Sequence, residues 1–185
     1  LNKKDFDVVL LTDFRGINYF SGYDTFQKMI IRSDTPTGKT PIRKIKSIFS
    51  IIYGVLQTWF IITKLKPCII ISFGGYASFP TMIAALFRNC GKIIHEQNAV
   101  LGRVNSLFAK RVDIIATSYK HTELIPKLAR NKVIHIGMPV RSSIKKVFHA
   151  DYPLFDGETH LNILVLGGSQ GAKVFSNIIP EACKR

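Results

Sequence analysis

Apolar residues along this chain gather in short, nearly unbroken runs at 8–12, 68–73, 92–95, 113–117, 132–136 and 162–166, and the runs are rich in Val and Ile. Such runs read as β-strands, and their lack of polar alternation is what strands covered on both faces show. Helix-length segments lie between most of them, so the pattern predicts a doubly wound α/β fold with a parallel sheet. The stretch 19–40, with Gly22, Pro36 and Gly38, is irregular and predicts a loop with a short strand at 29–32. A second break at 137–160 holds Pro139, Pro153 and the turn pair Asp156-Gly157, after which a new strand begins. The expected organisation is a first Rossmann-like domain over 1–141, a linker over 142–160 and the start of a second domain over 161–185. One strand, one turn and one helix are too little to bury a core, and the first residues, which show no signal-peptide pattern, read as the end of a helix running into a strand, as if an earlier strand and turn were missing. The sequence is therefore expected to be cut at both ends.

Composition narrows the function classes. Of 185 residues, 46% are hydrophobic and 21% charged, a globular balance that excludes an unfolded tail. The formal net charge of +14 calls for an acidic partner: phosphates, nucleic acid or an anionic membrane. No helix-turn-helix, RNA-recognition or zinc-finger signature accompanies the charge, so nucleic acid is not expected. Cys68, Cys90 and Cys183 are odd in number and widely spaced, which suits a reducing compartment and suggests no zinc cluster. His95 has Ala99, not His, four residues on, so the zincin pattern fails and no metal is expected.

Two strand-to-helix turns are glycine-rich. In the first, the 68–73 run meets Gly74, Gly75 and Tyr76, and a helix is expected over 80–88. In the second, the 162–166 run meets Gly167, Gly168, Ser169 and Gly171. Absent side chains and free N–H groups at a helix start outline an anion site, where the Ser169 hydroxyl could add a donor. Neither turn completes the dinucleotide or P-loop pattern, and either alone also reads as an ordinary tight turn. A polar cluster, His95-Glu96-Gln97-Asn98, ends the 92–95 run, where ligands of open α/β sheets bind; a plain capping loop has the same composition. The run 48–63 is apolar nearly all round and is flanked by Arg43, Lys44, Lys46, Lys64 and Lys66. It is shorter than the ~20 residues of a membrane span. Ile45, Phe49, Ile52 and Val55 recur at helical intervals and could meet lipid while Lys44 and Lys46 meet anionic headgroups; a buried core helix is the alternative.

The segments FGGYASFP, HEQNAVLGRVN, GMPVR and VLGGSQGA occur in the order and approximate spacing of the MurG family, and on them the chain resembles that family over most of its length. The resemblance implies a GT-B fold of two Rossmann-like domains and transfer of GlcNAc from UDP-GlcNAc to the MurNAc 4-hydroxyl of undecaprenyl-linked lipid I, with inversion, in peptidoglycan synthesis. It implies a peripheral protein on the cytoplasmic face of the bacterial inner membrane, without cofactor or metal. Position by position, Asn98, Arg141 and Ser169 match donor-binding residues, and Gly74, Gly75 and Tyr76 match a loop suggested to hold the acceptor pyrophosphate. His95 and Glu96 are the cleft candidates for chemistry. The family's G-G-T-G-G-H loop, with its candidate base, is not in this sequence, and Met138 replaces the Asn of the family's G-N-P-V-R. The chain is therefore expected not to catalyse alone, with a second chain as a possible source of the rest. The alternatives are another GT-B lipid glycosyltransferase, which a panel of sugar nucleotides and acceptors would separate, and a non-catalytic membrane-surface or phosphate-binding remnant, which liposome binding without UDP-GlcNAc affinity would favour.

Overall fold

The structure is a computed structural model that describes residues 6–20, 26–35, 40–148, 157, 163–165 and 173–183. The chain divides into two compact units, Leu1–Val140 and Arg141–Arg185. In the first unit, β1 (Val9–Thr12) pairs in parallel with β2 (Gln27–Ile30). A four-stranded parallel sheet follows in chain order: β3 (Ile69–Ser72), β4 (Gly91–Glu96), β5 (Ile114–Thr117) and β6 (Val133–His135). The ladder continues past the strand ends through Ser118 N–H to the Glu96 carbonyl and Ile136 N–H to the Thr117 carbonyl. Because all four strands run the same way, Ser72, Glu96, Thr117 and His135 close the same edge of the sheet. The expected parallel α/β class is the one found.

Three helices connect these strands: α1 (Pro41–Leu65), α2 (Gly75–Leu86) and α3 (Arg103–Phe108). The core between helices and sheet is built by Met82, Ala84 and Ala85 of α2, Ile94 and Ile115 of the central strands, and Phe108 of α3. Two helix boundaries differ from expectation. α2 starts at Gly75, not near residue 80, because Gly74 turns the chain directly into the helix and Pro80 sits inside it. The missing Pro80 N–H removes one intrahelical bond, and its buried ring lies against α1, where its Cγ is 3.2 Å from the place a Cβ on Gly54 would take.

α1 is also longer than the 48–63 run, reaching 25 residues, with Pro41 in its first turn and Lys66 closing it in a left-handed conformation. By length and composition alone it could cross a membrane. Its seating argues for a helix built into the domain instead. Ser47, Gly54, Thr58 and Ile62 form its buried stripe. Gln57 replaces a strand partner for the chain leaving β2: its Oε1 accepts from Arg32 N–H at 3.0 Å and its Nε2 donates to the Ile30 carbonyl at 2.9 Å. The Ser47 hydroxyl donates to Asp34 at 2.7 Å. The irregular region expected as a loop thus supplies the backbone and carboxylate on which α1 rests.

In the second unit, α4 (Ser142–Lys146) lies at the start of the stretch expected as a linker, and α5 is Lys173–Ala182. Of the strand expected at 162–166, residues 163–165 are described and belong to no regular element.

Candidate functional site at the carboxyl ends of the strands

β4 delivers His95 and Glu96 to the sheet edge, 5% and 1% exposed. Burying a carboxylate demands partners for its lone pairs, and Glu96 has four. Its Oε1 accepts from the backbone N–H of Asn98 at 3.0 Å and from Asn98 Nδ2 at 2.9 Å. Its Oε2 accepts from Gly102 N–H at 2.8 Å and from Asn105 Nδ2 at 2.9 Å. Burial alone would raise the Glu96 pKa; the Gly102 N–H, the Asn105 amide and the two Asn98 donors outweigh it, and the group is held below the ordinary carboxylate value. The loop that Glu96 gathers is pinned from its other side: Leu101 N–H donates to the Glu123 carbonyl at 3.0 Å and Glu123 N–H to the Ala99 carbonyl at 2.8 Å. Gln97 and Asn98 remain exposed.

The first glycine turn meets this loop from β3. Gly74 and Gly75 have φ of 76° and 74°, the left-handed region that side chains avoid. A Cβ on Gly74 would sit 3.0 Å from Asn105 Nδ2 and 3.2 Å from its Oδ1, whereas one on Gly75 would face open space. Gly74 N–H donates to the Ser72 hydroxyl at 3.2 Å, and α2 starts at the next residue with its first N–H groups free of intrahelical partners. Half-buried Tyr76 packs against the apolar core.

His95 faces β5. Its Nε2 lies 3.2 Å from the Ser118 hydroxyl, which also donates to Met138 Sδ at 3.7 Å, and its ring stands edge-on to Phe73 with centroids 5.5 Å apart. Its Nδ1 is buried without a partner. Met138, where the family pattern has Asn, is thus the far end of a short chain leading to His95.

The structure brings together Gly74, His95, Glu96 and Asn98. Arg141 belongs to the second unit, exposed, where its carbonyl accepts from Ile144 and Lys145 at the start of α4. Ser169, with Gly167, Gly168 and Gly171, lies outside the described residues. On α1, Ile45, Phe49 and Ile52 are exposed at 55%, 67% and 50%, Val55 is half-buried, and Lys44 and Lys46 are exposed. The exposed apolar stripe is wider than those four, adding Ile48, Tyr53, Leu56 and Phe60.

Residue-type reasoning left three positions without a role. Asn105, 2% exposed, ties the polar cluster to the glycine turn. Ser118 links His95 to Met138. Asp13, following β1 as Glu96 ends β4, accepts from Arg15 Nε at 2.9 Å, Ser33 Oγ at 2.8 Å and Gly16 N–H at 2.8 Å. Burial pushes its pKa up, but the Arg15 side chain, Ser33 and Gly16 bring it below the ordinary value. Its position at the end of an apolar run was the available signal, the same one that marked His95.

Comparison with known proteins matches the glycosyltransferase family 28 N-terminal domain to residues 1–117. Relatives named UDP-N-acetylglucosamine--N-acetylmuramyl-(pentapeptide) pyrophosphoryl-undecaprenol N-acetylglucosamine transferase include that of Methylorubrum populi, 36% identical over 185 residues, which are 100% of this chain and 50% of the relative. That of Paramagnetospirillum magneticum is 39% identical over 183 residues, 98% of this chain and 49% of the relative. The crystal structure of Acinetobacter baumannii MurG matches with a TM-score of 0.64 at 28% identity, covering 94% of this chain and 48% of that one. The fold expected from the resemblance is therefore found in a solved relative, and the chain spans about half the length of the curated relatives it matches.

Proposed function

The chain belongs to glycosyltransferase family 28, and from that premise we propose that it forms the acceptor-side part of an inverting transferase that moves GlcNAc from UDP-GlcNAc to the MurNAc 4-hydroxyl of lipid I. The observation that carries this reading is the convergence, at the carboxyl ends of parallel strands, of a left-handed glycine turn opening α2 and the loop that Glu96 holds rigid. The start of α2, where the helix dipole favours an anion and Gly75 leaves an open face, suits the acceptor pyrophosphate. Asn98 suits the sugar of the donor, while Arg141 and Ser169 are assigned to its diphosphate; Arg141 offers a planar fork of donors for a phosphate. In the reaction the 4-hydroxyl oxygen attacks the anomeric carbon, its proton passes to a base, and UDP leaves from the opposite face. Glu96 is not that base, because its acceptor capacity is filled by four N–H groups and its pKa is lowered.

The reading places α1 against the cytoplasmic face of the inner membrane as a peripheral contact. Its large apolar residues point away from the protein, and Arg43, Lys44 and Lys46 flank them for anionic headgroups. UDP-GlcNAc and lipid I are then the two substrates.

The test is twofold. The chain should bind phosphatidylglycerol vesicles carrying a lipid I analogue more tightly than vesicles without it. Transfer of radiolabelled GlcNAc should appear when a polypeptide supplying the rest of a relative is added. Equal binding to both kinds of vesicle would overturn the acceptor assignment and favour a membrane-surface module. Rapid turnover by the chain alone would overturn the requirement for a second part.

A further inference from the structure

We infer that Glu96 is a positioning residue whose carboxylate fixes the Asn98 amide so that its carbonyl oxygen faces the ligand, making this position select a hydrogen-bond donor such as a sugar hydroxyl or an acetamido N–H. The inference rests on the proposed contact of Asn98 with the nucleotide sugar and adds what that contact can recognise.

An ionised carboxylate only accepts hydrogen bonds. Asn98 gives Glu96 Oε1 both its backbone N–H and its Nδ2. Turning the amide over would set its carbonyl oxygen against a buried anion, so the orientation is fixed by charge. Exposed Asn98 then carries an Oδ1 that accepts from no donor among the described residues. On the other oxygen, Asn105 spends both Nδ2 hydrogens, on Glu96 Oε2 at 2.9 Å and on the His95 carbonyl at 3.1 Å. That choice leaves the buried Asn105 Oδ1 without a partner, in an amide whose two ends a Cβ on Gly74 would approach almost equally, Nδ2 at 3.0 Å and Oδ1 at 3.2 Å. A single carboxylate therefore sets the polarity of two amides, one facing outward and one beneath the glycine turn.

Glutamine is nearly isosteric but cannot do this, because it has one acceptor oxygen and one NH2. Whichever side the NH2 takes, it meets two donors. On the Asn98 side, relief comes only if Asn98 turns over and offers its own NH2 outward, which inverts what the site recognises.

Two measurements test the inference on the 185-residue chain. In spectra of the 15N-labelled protein, Glu96→Gln should move the Asn98 side-chain amide resonances while signals from β3 and β5 stay in place; unmoved Asn98 resonances would overturn it. By calorimetry, the preference for UDP-GlcNAc over UDP should fall about tenfold in Glu96→Gln, the loss of one hydrogen bond, with affinity for UDP kept. An equal loss for both ligands would show a merely structural role and overturn it. Glu96→Asp retains an acceptor-only group and should keep most of the preference; its complete loss in a folded Glu96→Asp chain would also overturn the inference, even where Glu96→Gln does not fold. If the wild-type chain binds neither nucleotide, the donor contact assigned to Asn98 fails, and the amide resonances still decide the role of Glu96.

Discussion

Substituting Gly54 by alanine sets two physical expectations of opposite sign against each other. Gly54 lies in the middle of α1, where alanine is favoured over glycine by about 1 kcal/mol. The packing says otherwise. A Cβ at this position would lie 1.9 Å from the Arg32 carbonyl oxygen, which is backbone, and 3.2 Å from Pro80 Cγ. Ordinary contact begins at 3.4 Å, so α1 must retreat by about 1.5 Å. That retreat breaks the two Gln57 bonds of 3.0 and 2.9 Å to the same stretch of chain, at about 1 kcal/mol each. Overpacking adds about 1–3 kcal/mol. With the propensity gain subtracted, Gly54→Ala should destabilise by about 2–4 kcal/mol. Trp59, the only tryptophan, reports from the same helix, so its fluorescence in a urea titration follows the transition directly. Gln57→Ala should lose about 1–2 kcal/mol, and the double variant should lose less than the sum because both act on one contact. A Gly54→Ala protein as stable as the parent, or more so, would refute the close approach of α1 to the chain after β2.

Four further outcomes follow from the same geometry. Gly74→Ala meets both the left-handed φ and the Asn105 amide, so it should lose at least about 1–2 kcal/mol and weaken binding of the lipid I analogue, read by urea titration and vesicle sedimentation. Asp13 and Glu96 have folded pKa values below their unfolded ones, so their stabilisation is complete above the ordinary carboxylate range and is lost as pH falls through the folded values. Asp13→Asn or Glu96→Gln should therefore flatten the acid limb of a stability-against-pH curve, and an unaltered limb would contradict the hydrogen bonds these two carboxylates accept. The pair Phe49→Ser and Ile52→Ser should reduce sedimentation with phosphatidylglycerol vesicles at least tenfold, each side chain giving up on the order of 1 kcal/mol of lipid burial. Lys44→Ala with Lys46→Ala should reduce it mainly at low salt, by about 1 kcal/mol per charge.

The positions of the strands were legible because parallel strands are written here as continuous β-branched runs, and the four from β3 to β6 each fall within a residue or so of one; cover on both faces was expected of all four, but Ile69 and Ile71 of β3 and Ile134 of β6 are about half exposed. The helix starts were less so. Pro80 reads as a first-turn proline, yet the signal that mattered was Gly74, whose left-handed φ caps α2 five residues earlier. The polar cluster was placed correctly at a strand end, since topology alone puts it there. Which member faces outward was not legible from residue type: Glu96 and Asn98 are equally polar in the sequence, and only the four donors around Glu96 separate a residue facing inward from one facing out. Gln57 looked like an interruption of an apolar run; it binds backbone at residues 30 and 32, a partner 25 and 27 positions away that no local pattern discloses.

α1 shows most clearly why the membrane reading follows from packing and not from hydropathy. In an ordinary globular helix the large apolar side chains face the protein and the small or polar ones face water. Here the stripe on the protein is Ser47, Gly54 and Thr58 with Ile62, and Gln57 beside it reaches for backbone. The opposite stripe is Ile45, Phe49, Ile52, Tyr53, Leu56 and Phe60, each at least half exposed. Small residues at a helix contact, hydroxyls bonded back to the helix as Thr58 is to the Gly54 carbonyl at 2.7 Å, and bulky residues outward make up the arrangement that helices adopt where the surroundings are as apolar as the side chains. Exposing that stripe to water gains nothing for folding, so its free energy is recovered only when something apolar covers it. On the proposed reading a lipid surface would do so, with the same element whose other face sets α1 on the chain leaving β2. The same helix runs into β3 and the glycine turn, so the proposed membrane contact and the proposed acceptor site are joined by a short stretch of continuous backbone. A lipid-borne acceptor would then be met by a site held at a fixed distance from the bilayer, and loosening α1 through Gly54→Ala should lower vesicle binding and acceptor binding together.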